Sequence, residues 1–285
     1  MPNHKYTTNF SFEVQASDTI NDIVLSKANI QNLSSLIPTQ VDLEKNIDLM
    51  GVAFNAAVVN EFNKNGDGIS TETAIESVQQ FVHKPTNIEH DRDKIVGHIV
   101  SAGFSRYGQN SELMTEDEAL IEDNAYNIAL AAVVYRTASK EFADLVMNST
   151  DSDSDYFGTV SASWEVGFND YVISVGGDDL FESTIISDPD EIKAYSSYLK
   201  SLGGRGVLQD GRKVNRLIVG DIYPLGIGFT SNPAADVKGL IVQDNKPQEV
   251  KRDRPEPIDR IITKSKKQKK KQQHTIHLHF HHGKY

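Results

Sequence analysis

Gly158-Thr159-Val160-Ser161-Ala162-Ser163-Trp164-Glu165-Val166-Gly167-Phe168 alternates in character. Val160, Ala162, Trp164 and Val166 fall on one side, and Ser161, Ser163, Glu165 and Gly167 on the other. That is the two-residue period of a strand with one buried face. The same alternation runs through residues 9–16, and Ile47 to Phe54 and Ile95 to Phe104 carry the β-branched and small residues of further strands. Tyr126 to Tyr135 is almost continuously apolar, which predicts a central strand buried on both faces. Val214 to Phe229 holds two short apolar runs separated by Asp221 and Pro224. Helical spacing is confined to three segments: Ser70 to Val82 with a hydroxyl cap, Ser139 to Met147, and Pro189 to Leu202 starting from Asp188 and ended by Gly203-Gly204. Many short strands with few helices imply an α+β domain built on a closed or strongly curved sheet.

The chain of 285 residues is 38% hydrophobic and 24% charged, inside the range of soluble globular proteins. No window approaches 18 apolar residues, and Met1-Pro2-Asn3-His4-Lys5 opens onto polar sequence, so neither a membrane span nor an export signal is expected. Cysteine is absent, which removes disulfides, thiolate nucleophiles and Cys-based zinc sites and suits a reducing cytoplasm. The net charge of -11 conceals an asymmetry: residues 251–285 carry 11 Lys/Arg against 3 Asp/Glu, leaving 18 against 37 in the first 250. From about Pro247 the composition turns to Lys, Arg, Gln, Pro and His, too polar to offset the entropy of ordering. We therefore expect one domain over residues 1–246 and a disordered basic, His-rich tail over 247–285.

Two segments have the residue types of a catalytic site. In Asn87-Ile88-Glu89-His90-Asp91-Arg92-Asp93 a histidine precedes a strand among carboxylates, which can raise an imidazole pKa and fix its tautomer, as a general base requires. A surface histidine in an ordinary charge cluster has the same look. In Ser161-Ala162-Ser163-Trp164-Glu165 two hydroxyls and a carboxylate share one strand face, with small neighbours that leave an oxygen accessible. Serines on a half-exposed strand have that look too.

The histidine segment, followed by Val96-Gly97-His98-Ile99, resembles the histidine motif of the prohead maturation proteases of tailed bacteriophages. Ser163-Trp164-Glu165-Val166-Gly167-Phe168-Asn169-Asp170-Tyr171 resembles their serine motif, departing from it at Trp164 and Val166. A third block resembles their Gly-rich turn and closing segment: Tyr198 to Gly206, Gly211 to Arg216, and Gly226-Ile227-Gly228 to Ala234. The three blocks stand in the family's order across residues 47–240. The resemblance implies the fold shared with herpesvirus assemblin proteases, a small β-barrel flanked by helices. It implies a serine endopeptidase that cleaves scaffold and capsid-protein precursor segments, and itself, inside the immature head in the host cytoplasm. It places the nucleophile at Ser163, with Ser161 as the rival register, and the base at His90. Asp221 is the first candidate for the orienting acid, with Glu165 and Asp170 as alternatives. The glycines around Arg205 would expose oxyanion donors, unless they simply end a helix. A non-catalytic assembly or scaffold protein that kept the fold is the competing expectation.

No cofactor or metal is expected. Asn63-Lys64-Asn65-Gly66-Asp67-Gly68-Ile69 imitates half a calcium loop, but Ala74 stands where the bidentate Glu belongs, so a turn is the better account. His274, His277, His279, His281 and His282 lack accompanying carboxylates. The expected partners are the capsid precursor, scaffold proteins and further copies of the chain, with no membrane; nucleic acid would be met only through the lysine run 266–271.

Overall fold

A computed structural model describes residues 4–17, 33, 35–38, 45–107, 112–151 and 153–230. The proposed domain boundary at 246 and the basic tail lie outside these residues. The described chain is a mixed α+β structure with a ten-stranded sheet and four α-helices. In order it runs β1 (Tyr6–Ser17), β2 (Leu49–Val59), β3 (Asp67–Ile69), α1 (Thr71–Ser77), β4 (Pro85–Ile88), β5 (Asp91–Arg106) and β6 (Leu113–Met114). It continues α2 (Glu116–Leu120), β7 (Tyr126–Tyr135), α3 (Lys140–Thr150), β8 (Ser161–Gly176), β9 (Thr184–Ile186), α4 (Pro189–Ser196) and β10 (Lys213–Thr230). None of the helices among the described residues is long and apolar enough to cross a membrane.

Antiparallel pairing links β4 to β5, β5 to β7, β7 to β2, β2 to β1 and β1 to β8. The long β10 pairs β8 antiparallel along its whole length and runs parallel to β4 at Ile227–Phe229 and to β3 at Arg216–Ile218. β7 lies in the middle of this arrangement with nine of its ten residues buried, as its unbroken apolar sequence requires. On β8, Ala162, Trp164, Val166 and Phe168 point inward and are fully buried. Trp164 stacks with Phe10 at 5.1 Å and meets Phe81 at 4.5 Å between ring centroids; Phe142 of α3 packs against Phe229 at 5.3 Å. Each such aromatic contributes about 2–3 kcal/mol by leaving water. A second, smaller core of Ile173, Val175, Leu199 and Val214 forms at the far ends of β8 and β10.

Where the structure departs from the sequence expectations, the cause is tertiary pairing. The alternation of 158–168 is the first half of a 16-residue strand, because β10 offers backbone partners past the polar Asn169-Asp170 pair. The two apolar runs of 214–229 form one strand, and Asp221 and Pro224 are absorbed by register shifts between Val219 and Ile222 and between Pro224 and Gly226. The helix expected over 70–82 is capped by Ser70 but tightens to a 3-10 turn at Val78–Phe81, and that over 189–202 ends at Ser196 before a second 3-10 turn at Lys200–Leu202. The four-residue β4, just before the turn that holds His90, was not anticipated: it pairs β5 next to it, but its other partner, β10, is more than 130 residues away.

Candidate active site

β4 and β5 are joined by a two-residue hairpin turn, Glu89-His90, between the register partners Ile88 and Asp91. Both turn residues have positive φ, 52° and 59°, the arrangement usually supplied by Asn-Gly. For non-glycine residues this costs about 1–2 kcal/mol each. The turn is fastened to the end of β10. Glu89 N–H donates to the Phe229 carbonyl at 2.9 Å, and Thr230 Oγ1 donates to Glu89 Oε2 at 2.8 Å.

This fastening lays the His90 ring on β10 at Gly228. A Cβ there would lie 2.8–2.9 Å from Nδ1, Cε1 and Cγ of the imidazole, so the ring occupies the space that any side chain at 228 would need. Gly228 is the register partner of Ser163 on β8, and opposed residues of an antiparallel pair project to the same face about 5 Å apart. His90 and Ser163 are therefore within side-chain reach of each other. Ser163 is buried, at 3% exposure, and Ser161, also buried, is opposite Thr230. Both ring nitrogens of His90 are buried without a hydrogen-bond partner among the described residues. Burial lowers the His90 pKa below its ordinary value; Glu165 and then Glu89 oppose that shift by their negative charge. That direction favours the neutral imidazole, the form that accepts a proton.

The three acids expected as its partner are placed very differently. Glu165 is two residues from Ser163 on the same strand face, exerts the largest charge effect on His90, and lies 3.9 Å from the Arg92 guanidinium. Asp170 is exposed, 4.0 Å from Lys5 Nζ, and seven residues along β8 from Ser163. Asp221 is exposed in the β10 bulge beside Gly220, seven residues from Gly228, roughly 20 Å away at the usual rise of a strand. The structure brings His90, Ser163, Ser161 and Glu165 together, and leaves Asp221 and Asp170 apart from them.

The glycines expected as oxyanion donors are spent elsewhere. The N–H groups of Gly203, Gly204 and Gly206 donate to the carbonyls of Lys200, Leu199 and Tyr198, and the turn sits by the second core at the far end of β8 and β10. They end the 3-10 turn, with Gly203 left-handed at φ 88°. The segment resembling a calcium loop is a turn. Asn63 Oδ1 accepts from the N–H groups of Asn65 and Asp67, while the Asp67 carboxylate accepts from Arg216 Nε at 2.6 Å and from Thr8 Oγ1. Among the described residues no three His, Asp or Glu side chains are grouped to hold a metal.

Three contributors escape residue-type reasoning: Gly228 as the seat of the imidazole, Thr230 as the anchor of the turn, and Arg92 beside Glu165. The only trace in sequence is the alternation Gly226-Ile227-Gly228 in an apolar run, which signals a close approach on one face without saying by what. No protein-family profile, curated protein or solved structure matches the chain.

Proposed function

We propose that the chain is a serine endopeptidase of the prohead-maturation type, with Ser163 as nucleophile, His90 as general base and Glu165 as the carboxylate that supports the imidazolium. The observation that carries the reading is the seating of the His90 ring on Gly228, directly across the ladder from Ser163. His90 takes the Ser163 Oγ proton as the oxygen attacks a peptide carbonyl carbon; the C–N bond then breaks and the imidazolium returns its proton to the leaving amine. Water, activated by the same imidazole, hydrolyses the acyl-serine. The carboxylates of Glu165 and Glu89 favour the transient imidazolium, whose charge burial otherwise opposes. A buried ring nitrogen without a hydrogen-bond partner among the described residues suits a base that must accept a proton.

The strand pairing supports an assemblin-like small barrel for this fold. β10 pairs with both β4 and β8, and β5, β7, β2 and β1 connect the other sides of those two strands. In that setting the substrates are scaffold and capsid-precursor segments inside the immature head, and the basic composition of residues 251–285 contrasts with the acidic composition of the first 250.

The near-complete burial of Ser163 favours a second reading, a non-catalytic assembly protein that kept the fold. Fluorophosphonate labelling of the purified chain separates the two. Labelling lost in Ser163→Ala and kept in Ser161→Ala supports the protease, and the reverse pattern moves the nucleophile to Ser161. Absence of labelling together with unaltered capsid-precursor processing by both variants and by the double variant refutes it.

A further inference from the structure

We infer that the cavity beside Glu165 is a specificity subsite that takes one uncharged, hydrogen-bonding side chain of the substrate, a carboxamide above all. The inference rests on the endopeptidase reading and adds to it what the substrate must carry. The cavity has a volume of about 400 Å³ and no apolar residue in its lining. Threonines and an asparagine of β1 and Asn65 supply hydroxyls and amides, and the charged groups are Asp67, Glu165, Lys200 and Arg216.

Its floor is fixed. Asp67 and Arg216 are both nearly fully buried, joined at 2.6 Å, with Thr8 Oγ1 satisfying the second carboxylate oxygen. The guanidinium lies 4.8 Å from the Phe168 ring centroid, with Tyr171 and Tyr6 at 5.6 and 5.8 Å, so its orientation is set by packing on three rings. At the exposed rim Lys200 Nζ donates to the Lys64 carbonyl at 2.8 Å. Glu165 connects the cavity to the reacting groups, because it lines the cavity and stands two residues along β8 from Ser163 on the same face. Two strand residues span about 7 Å, the interval at which an extended peptide repeats a side chain on one side. A substrate whose scissile carbonyl meets Ser163 Oγ therefore presents a flanking side chain to this cavity.

The four formal charges cancel. A charged side chain meets a repelling group for each attracting one. An apolar side chain leaves polar groups desolvated without partners, which is costly. A carboxamide offers donors and acceptors together and matches a lining that has both.

The test uses peptides spanning the cleavage sites mapped in the chain's own capsid precursor, with each flanking position varied among Gln, Leu, Glu and Lys. One position should favour Gln over Leu in kcat/KM by on the order of tenfold or more, the discrimination expected of a site built to hydrogen-bond. Lys200→Glu leaves two uncompensated carboxylates in the lining and should turn the preference at that position towards Lys. Preference for Leu at every position, or the same profile in Lys200→Glu, overturns the subsite while leaving the protease standing. Failure of the wild-type chain to label or cleave overturns both.

Discussion

The His90 imidazole sits where a Gly228 side chain would begin, three of its ring atoms 2.8–2.9 Å from that position. Gly228→Ala must displace the ring from the register of Ser163. A misplacement near 1 Å costs roughly a hundredfold in rate, while overpacking at one site costs about 1–3 kcal/mol in stability. The expected outcome is a folded chain with kcat/KM on the capsid precursor down by about that hundredfold, read by a cleavage assay beside a thermal melt. Wild-type activity in a folded Gly228→Ala would detach the imidazole from catalysis.

Glu165 and Asp221 make opposite predictions. Glu165→Gln removes the larger of the two charges that favour protonated His90, so the His90 pKa, already lowered by burial, falls further. The acid limb of the kcat/KM profile should move to lower pH, and the plateau should fall because the imidazolium formed during attack loses its support. Asp221→Asn, in an exposed bulge, should leave both limb and plateau where they are. A pH profile of each variant decides between the two acids.

Burial of neutral His90 also makes stability depend on pH. The folded pKa is depressed, so the contribution is fully present above the unfolded value of about 6.5 and is lost as pH falls through the folded value. Replacing His90 with Gln should flatten denaturant midpoints across that acidic window and change them little above it.

Asp67 and Arg216 are nearly fully buried and bonded to each other. Asp67→Asn strands the guanidinium and is expected to cost about 3–5 kcal/mol, as breaking a buried pair does. Replacing both with apolar residues of similar volume should cost much less than the two single changes summed. Urea unfolding of the four chains gives the coupling directly.

Much of the β architecture was legible in the sequence because it is written in local period. Tyr126 to Tyr135 reads as a doubly buried strand and is one, and the alternation around Ser163 puts Trp164 in the core as observed, but it does not foretell that Ser161 and Ser163 on the opposite face are buried too. The pairing of β10 with β4, which positions His90, joins residues more than 130 apart and leaves no local trace. The choice of acid was illegible for the same reason. Asp221 and Glu165 are equally plausible as residue types, and only the bulge at Gly220-Asp221 and the register of β8 on β10 separate them in space. The glycines near Arg205 stayed ambiguous between oxyanion donors and a helix end, since sequence shows an amide but not whether a carbonyl has already claimed it.

The hairpin turn that presents His90 holds two left-handed residues, neither of them glycine. Glycine or asparagine at position 90 would relax that backbone and remove a desolvated imidazole, so the inactive chain should be the more robust one. A library selected only for solubility or heat resistance would then drift towards losing the proposed base. On the endopeptidase reading, retention of histidine there would have to be enforced by selection for the cut itself.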